Sequence, residues 1–182
     1  GLSDVAIYFD YDADAAWNVQ PMGEGLNYFQ LIMDHYRTFR RLGLNVDFVH
    51  KNTEDFSGYK LISVVGAIHI SSDLISRISK AMATLVFGPR TGARVGNMQI
   101  PKNLPPQINL VKSRILRVET LPSNVSLEID PVGRAGRYIE TIKLDNNASP
   151  YLKLKNGQVI ATKEESGAIY LASMIDQEGL TA

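Results

Sequence analysis

An apolar run near the start of the chain, residues 5–9, does most to constrain the fold. It consists of Val, Ala, Ile, Tyr and Phe, and three acids follow it at Asp10, Asp12 and Asp14. A nearly uninterrupted apolar run of this length indicates a strand that is buried on both faces, and the acids indicate that the strand ends at an open edge. Contacts and chemistry gather at the carboxyl ends of strands in open α/β sheets, so these acids are candidates for a site.

The first half of the chain alternates apolar runs with helical patterns. Apolar residues recur at steps of three and four from Leu26 to Leu42, which predicts an amphipathic helix that ends at Gly43. A loop is predicted before this helix, over residues 11–25, and a short helix is predicted after the N-cap candidates at 71–73. Further buried strands are predicted over residues 46–49, 59–65 and 84–87. This alternation predicts right-handed crossovers onto a parallel sheet.

The second half of the chain has a different pattern. Residues 93–109 are rich in Pro, Asn, Gln and Gly, which predicts a long loop. From residue 115 onward, short alternating runs and an Asn156-Gly157 hairpin turn predict antiparallel or mixed strands. The whole pattern therefore predicts a doubly wound α/β unit with additional C-terminal β-strands.

Composition excludes several classes of function. The 19 Lys and Arg residues balance 19 Asp and Glu residues, so no net field favours nucleic acid or a membrane surface. The absence of cysteine excludes disulfides, thiolate nucleophiles and Cys-ligated zinc. No apolar run reaches the ~18 residues of a membrane span and the start does not resemble a signal peptide, so we expect a soluble, cytoplasmic protein. Gly1 in place of Met is interpreted as an expression remnant on a piece of a longer protein.

The three acids after the first strand resemble the opening of a calcium loop, D-x-D-x-D. The rest of that loop is missing, because Ala15 stands where a glycine would make the sharp turn and Pro21 stands where the bidentate glutamate belongs. A solvated strand end is therefore favoured over a metal site.

Neither the histidines nor the glycines form a recognisable reaction centre. His35, His50 and His69 are not spaced as a metal pair, and the first two are predicted to be partly buried or surface residues. His69 follows the strand that ends at Val65, where doubly wound hydrolases place a nucleophile, but no Gly-x-Ser-x-Gly surrounds it. No Gly-x-Gly-x-x-Gly or Walker loop is present, and the acidic first loop would repel the phosphates of a nucleotide or flavin. The sequence predicts no catalytic, metal-binding or cofactor-binding residue.

Two features next to strand ends are candidates for contacts. The single tryptophan, Trp17, lies in the long first loop close to Gln20. Arg90 and Thr91 follow the fourth predicted strand, where they would either bind a carboxylate or cap a neighbouring loop. The structural role is favoured for this second pair.

Several segments carry a resemblance to a known family, and the most specific of them is Thr-Leu-Val-Phe-Gly-Pro-Arg-Thr-Gly at residues 84–92. The others are residues 5–11, Trp17 with Gln20-Pro21, Tyr28 and Tyr36, and residues 42–47, 55–61 and 161–176. In this order and spacing they resemble the trimerisation (middle) domain of glycoside hydrolase family 42 β-galactosidases over nearly the whole chain. The departures are mild: Met82-Ala83 stands where that family usually has Gly-Gly, and Glu165-Ser166-Gly167 stands in place of Gly-Lys-Gly.

The resemblance implies a three-layer α/β/α fold with a mostly parallel sheet, like class I glutamine amidotransferases and therefore Rossmann-like or flavodoxin-like. It also implies that residues 1–182 are one domain, that both catalytic glutamates of the retaining mechanism lie on a separate N-terminal (β/α)8 barrel, and that the parent enzyme is a homotrimer that binds galactosides. This chain would then need no cofactor and would pack subunits together and wall the active-site mouth. The residues expected at an interface or active-site rim are Asp10, Trp17, Gln20, Arg90 and Thr91.

A second reading is a free-standing amidotransferase-like or sugar-binding protein that lacks the nucleophile. A third reading, a flavin or nucleotide binder, is disfavoured by the acidic first loop. A reading frame that continues upstream into a barrel sequence would favour the assembly domain, whereas a start codon directly before Leu2 would favour the free-standing protein.

Overall fold

The computed structural model describes residues 3–182, so Gly1 and its interpretation as an expression remnant lie outside the described residues. Eleven strands and four α-helices are assigned within this part of the chain. The strands are β1 (Val5–Tyr8), β2 (Val46–Val49), β3 (Leu61–Val64), β4 (Thr84–Phe87), β5 (Arg114–Thr120), β6 (Ser126–Asp130), β7 (Arg134–Lys143), β8 (Ser149–Leu154), β9 (Val159–Lys163), β10 (Ile169–Leu171) and β11 (Ser173–Ile175). The helices are α1 (Tyr11–Val19), α2 (Tyr28–Arg41), α3 (Ser72–Ser79) and α4 (Gln177–Thr181).

All of these strands belong to one mixed sheet. Its order is β11-β7-β6-β8-β9-β10-β4-β3-β1-β2, and β5 pairs with β7 beside this path. Four pairings are parallel, namely β2 with β1, β1 with β3, β3 with β4, and β4 with β10. The remaining six pairings are antiparallel.

The expected fold class is therefore wrong. A three-layer α/β/α fold of the glutamine amidotransferase or flavodoxin type would need a mostly parallel sheet, and here antiparallel pairings outnumber parallel ones. The physical reason lies in the connections, because a parallel pair needs a long crossover whereas antiparallel strands can be joined by short turns. After β4 no connection within the described residues contains an α-helix until α4 near the C-terminus. The Rossmann-like description consequently does not fit the sheet as a whole.

The parallel strands carry side chains from helices on both faces. Trp17 of α1 and Tyr28 and Ile32 of α2 pack with Ile7 on one face. On the other face, Leu74 and Ile78 of α3 pack in one cluster with strand residues. These strand residues include Ala6 and Tyr8 of β1 and Ile62 of β3. This alternation of neighbouring residues between the two faces is the strand periodicity expected of a doubly buried strand.

A third core lies under the antiparallel strands. It is formed by buried apolar residues of β4, β6, β7, β8, β9, β10 and β11, among them Val86, Ile129, Ile139, Leu154, Ile160 and Ile175. Strand β7 is ten residues long and pairs with β5, β6 and β11. It therefore joins β5 and β11 to the rest of the sheet.

The segment after β1 differs from the predicted loop. Residues 11–19 form helix α1, and Asp10 is its N-cap, with Oδ1 accepting a hydrogen bond of 3.0 Å from the backbone N–H of Asp12. Acidic side chains in the first turn, Asp12 and Asp14, interact favourably with the positive end of the helix dipole. The acids thus start a helix. The predicted loop over residues 93–109 is confirmed, apart from one turn of 3₁₀-helix at Gly96–Met98.

No α-helix within residues 3–182 combines the length and the apolar character that a membrane crossing requires.

Candidate functional site

The acids that follow β1 have structural partners. Asp10 is buried, and its backbone N–H donates to the Tyr28 hydroxyl at 3.0 Å. Burial raises the pKa of the Asp10 carboxyl above its usual value. Asp12 is exposed and forms an ion pair with Lys51, with Oδ2 and Nζ 2.9 Å apart. The expectation of a solvated strand end therefore fails for Asp10, and residues 3–182 contain no cluster of three potential metal ligands.

Trp17 fills the crevice at the carboxyl ends of β1 and β3. The chain passes from β1 to β2 on one side and then to β3 on the other, so this is the point where open α/β sheets commonly bind ligands. Only 1% of the Trp17 surface is exposed, and its indole N–H donates to the Gly66 carbonyl at 2.9 Å. The ring of Tyr28 lies 6.1 Å from that of Trp17. The usual ligand crevice is thus occupied by the protein's own aromatic side chains.

Arg90 covers Trp17 from the loop after β4. Its guanidinium carbon lies 4.2 Å from the centroid of the Trp17 ring, a cation–π contact. The same guanidinium donates to the carbonyls of Gln20 at 3.0 Å and Pro21 at 3.5 Å. These two residues directly follow α1, and Gln20 is its C-cap. The structure therefore brings Trp17, Gln20 and Arg90 together, and Gln20 contributes its backbone carbonyl. Burial lowers the pKa of Arg90 from its usual value.

The loop that holds Arg90 has an unusual backbone. Gly88 has φ +79°, and a Cβ atom there would lie 2.0 Å from the Leu171 carbonyl oxygen of β10, so only glycine fits. Thr91 has no exposed surface, and its hydroxyl accepts from the Gly88 N–H at 3.0 Å and donates to the Val64 carbonyl at 2.8 Å. Thr91 consequently holds the loop from below and is not part of the surface.

Glu140 on β7 is the central residue that sequence reasoning missed. Its carboxylate is buried and accepts from the backbone N–H of Arg90 at 3.0 Å, from the Tyr138 hydroxyl at 3.1 Å and from the Tyr170 hydroxyl at 2.8 Å. Burial raises the pKa of Glu140 to about 6, although the hydrogen bonds from Tyr170, Arg90 and Tyr138 act in the opposite direction. Arg90 is in the left-handed region with φ 62°, and Glu140 holds the N–H of this strained residue.

The surface above this cluster is a small cleft bordered by exposed apolar side chains. The cleft has a volume of about 140 Å³, and Gln20, Met22, Arg90, Met98 and Val118 are among the residues that line it. Met22, Met98 and Val118 are 41%, 38% and 39% exposed. We call Gln20, Met22, Met98 and Val118 the rim. Of the five residues expected at a contact surface, only Gln20 belongs to this rim, whereas Trp17 and Arg90 support it from below.

The histidines lie apart from the rim. His50 is exposed, and its Nδ1 accepts from the backbone N–H of Asn52 at 3.2 Å. The Nδ1 of His69 is 3.4 Å from the Arg94 carbonyl. His35 is buried within α2 with Nδ1 3.3 Å from the Ser63 hydroxyl, and burial lowers its pKa to about 4.

Comparisons with known proteins agree with this architecture. The family model described as "Beta-galactosidase trimerisation domain" matches residues 3–182. The β-galactosidase BgaA of Thermus sp is 33% identical over 173 residues, which are 93% of this chain and 26% of the relative. The chain thus spans about a quarter of the length of that relative.

Solved structures give the same result. The β-galactosidase from the psychrophilic Marinomonas ef1 superposes with a TM-score of 0.88 at 31% identity, over 96% of this chain and 27% of that one. The β-galactosidase from the haloarchaeon Halorubrum lacusprofundi also has a TM-score of 0.88, at 24% identity over 96% of this chain and 28% of that one, which supports the fold alone. On the match over residues 3–182, this chain belongs to the β-galactosidase trimerisation domain family.

Proposed function

We propose that this chain is the non-catalytic subunit-assembly domain of a β-galactosidase, in which it helps to form a homotrimer and walls the active-site mouth. The observation that carries the proposal is the family match over residues 3–182 in a chain that spans only about a quarter of its relatives. In this account residues 1–182 are a single domain, and the galactoside binds to a separate N-terminal (β/α)8 barrel. The cytoplasmic location expected from the sequence stays a prediction.

The buried carboxylates support a scaffold role. A retaining glycosidase needs two carboxyl groups about 5–5.5 Å apart that flank the bond of the sugar and can exchange a proton with it. Both oxygens of Glu140 are already hydrogen-bonded inside the core. Both oxygens of Glu164 are also engaged, one by the Thr162 hydroxyl and the other by the N–H groups of Lys112 and Ser113. These acids stabilise loops and strands and have no free face for a substrate.

The rim supports a role in contacts between proteins. Methionine is enriched in protein interfaces, where its flexible side chain adapts to a partner, and two of the four rim residues are Met. The buried stack of Trp17 and Arg90 gives this surface a rigid base. The single tryptophan is buried, so it offers no open face on which a sugar ring could stack.

The absence of catalysis can be tested with a chromogenic galactoside. The 182-residue chain is expected to release no chromophore above the rate of buffer alone, because no Asp or Glu is among the residues that line the rim cleft. The full-length parent enzyme under the same conditions is the positive control. Robust turnover by the chain, with the parent barrel absent, would refute the proposal.

A further inference from the structure

A larger cavity shares no lining residue with the rim cleft. It has a volume of about 390 Å³ and opens between α2, α4 and the strands β3, β4 and β10. Its walls are mainly apolar, with Phe39, Leu61, Leu152, Leu171 and Leu180 among the lining residues. An engineered cavity of roughly 150 Å³ binds benzene, so this one has room for a larger apolar molecule. None of these residues takes part in the proposed assembly surface.

One buried polar side chain lines this cavity with an unused hydrogen-bonding atom. His35 is 3% exposed, and its Nδ1 faces the Ser63 hydroxyl at 3.3 Å. Its Nε2 has no hydrogen-bond partner within residues 3–182. Every fully enclosed side-chain nitrogen or oxygen of these residues does have a partner, so Nε2 is not fully enclosed. The Nε2 atom therefore keeps some open surface, and the cavity that His35 lines is the space available to it.

The chemistry around the cavity selects a class of ligand. His35 is neutral at physiological pH because burial lowers its pKa to about 4. A neutral imidazole presents either a donor or an acceptor at Nε2, depending on the tautomer, and a hydroxyl group can pair with both. Asp130 is also among the lining residues, and its negative charge disfavours anions. The wall therefore suits a neutral apolar molecule with one hydroxyl group.

We propose that this cavity binds a small, neutral, hydroxyl-bearing aromatic molecule of the phenol or naphthol class, whose hydroxyl pairs with Nε2 of His35. The aromatic body contacts the apolar walls formed by Phe39, Leu171 and Leu180. The lining of this cavity includes none of the four rim residues.

The direct test is titration of the 182-residue chain with 1-naphthol, followed through the imidazole proton resonances of His35. Binding is expected to be saturable and to shift those resonances. Naphthalene, which has the same ring system without the hydroxyl, is expected to bind about tenfold more weakly, since it leaves Nε2 unpaired. Equal affinities for the two compounds, or no saturable binding of 1-naphthol, would overturn the proposal.

Two variants locate the site. Leu180→Trp fills the cavity and is expected to abolish 1-naphthol binding, whereas Met82→Trp, at a fully exposed apolar position elsewhere, should leave it unchanged. The double variant His35→Leu with Ser63→Ala removes the polar pair without leaving a lone hydroxyl, and should bind 1-naphthol about tenfold more weakly. Unchanged affinity in Leu180→Trp would contradict the assignment. A change in oligomeric mass in that variant would show that a protein segment fills the cavity and would also contradict it.

Discussion

Replacing Trp17 with alanine is expected to lower the free energy of unfolding by about 3–5 kcal/mol. The side chain is 1% exposed and fills the crevice between β1 and β3, so its removal leaves a large void in the core. The Gly66 carbonyl loses its donor, and the Arg90 guanidinium loses the ring on which it stacks. Urea denaturation of the 182-residue chain, followed by circular dichroism, measures this effect.

Two further substitutions on α1 separate packing from the hydrogen bond. Trp17→Phe keeps an aromatic ring but loses the indole N–H. Its free energy of unfolding should therefore lie between those of the wild type and of Trp17→Ala. Val19→Ala is the matched control, because Val19 is 81% exposed on the same helix and its truncation should change stability by less than about 0.5 kcal/mol. If Trp17→Ala were no more destabilising than Val19→Ala, the conclusion that Trp17 fills the crevice between β1 and β3 would be wrong.

Replacing Glu140 is expected to have the second large effect. In Glu140→Ala the Tyr138 and Tyr170 hydroxyls and the Arg90 N–H lose their buried acceptor, and each unpaired group costs about 1–3 kcal/mol. We expect a total loss of about 3–5 kcal/mol, since part of the network can rearrange. Glu140→Gln retains one acceptor oxygen and the shape of the side chain, so its cost at pH 7 should be about 1–2 kcal/mol.

The pH dependence of the Glu140→Gln variant gives an independent test. Burial raises the pKa of Glu140 from 4.5 to about 6, so the folded state holds the proton more tightly than the unfolded state. This group therefore contributes stability that is present below pH 4.5 and is lost as pH rises through 6. Glutamine does not titrate, so its destabilisation relative to the wild type should be larger at pH 4.5 than at pH 7, by on the order of 1–2 kcal/mol.

Urea denaturation of both proteins at the two pH values measures that difference. His35 also changes its protonation in acid, because burial lowers its pKa to about 4, but it does so equally in both proteins and cancels. An equal penalty for Glu140→Gln at pH 4.5 and pH 7 would show that the Glu140 carboxyl titrates normally.

Local patterns in the sequence predicted part of the fold. The apolar runs of β1, β3 and β4 and the amphipathic stripe of α2 indicated the parallel strands and their helix, because these signals are local. Helix α1 was missed because it buries only Ala13 and Trp17, so it has almost no apolar stripe. The dominance of antiparallel pairing was also missed, since the partners of β7 and β10 depend on contacts between residues far apart in the chain.

The candidate site was predicted in the same uneven way. Trp17, Gln20 and Arg90 were each expected next to strand ends, and the structure shows in addition that they contact one another. The burial of Trp17 and Arg90 could not be predicted, because it depends on α1 folding back over Gly66. Glu140 was missed because 50 residues separate it from Arg90. The one local signal was the spacing of Tyr138 and Glu140, which places both side chains on the same face of β7.

Assembly through the rim is tested most directly by the molar mass of the full-length parent enzyme, measured by light scattering during size-exclusion chromatography. Met98→Glu with Val118→Glu would place two charges in the contact surface, where burial of an unpaired charge costs several kcal/mol. Met82→Glu, at an exposed apolar position outside the rim, is the control. We expect a trimer mass for the wild type and for Met82→Glu, and a monomer mass for the rim variant. A rim variant that retained the full trimer mass would contradict the account.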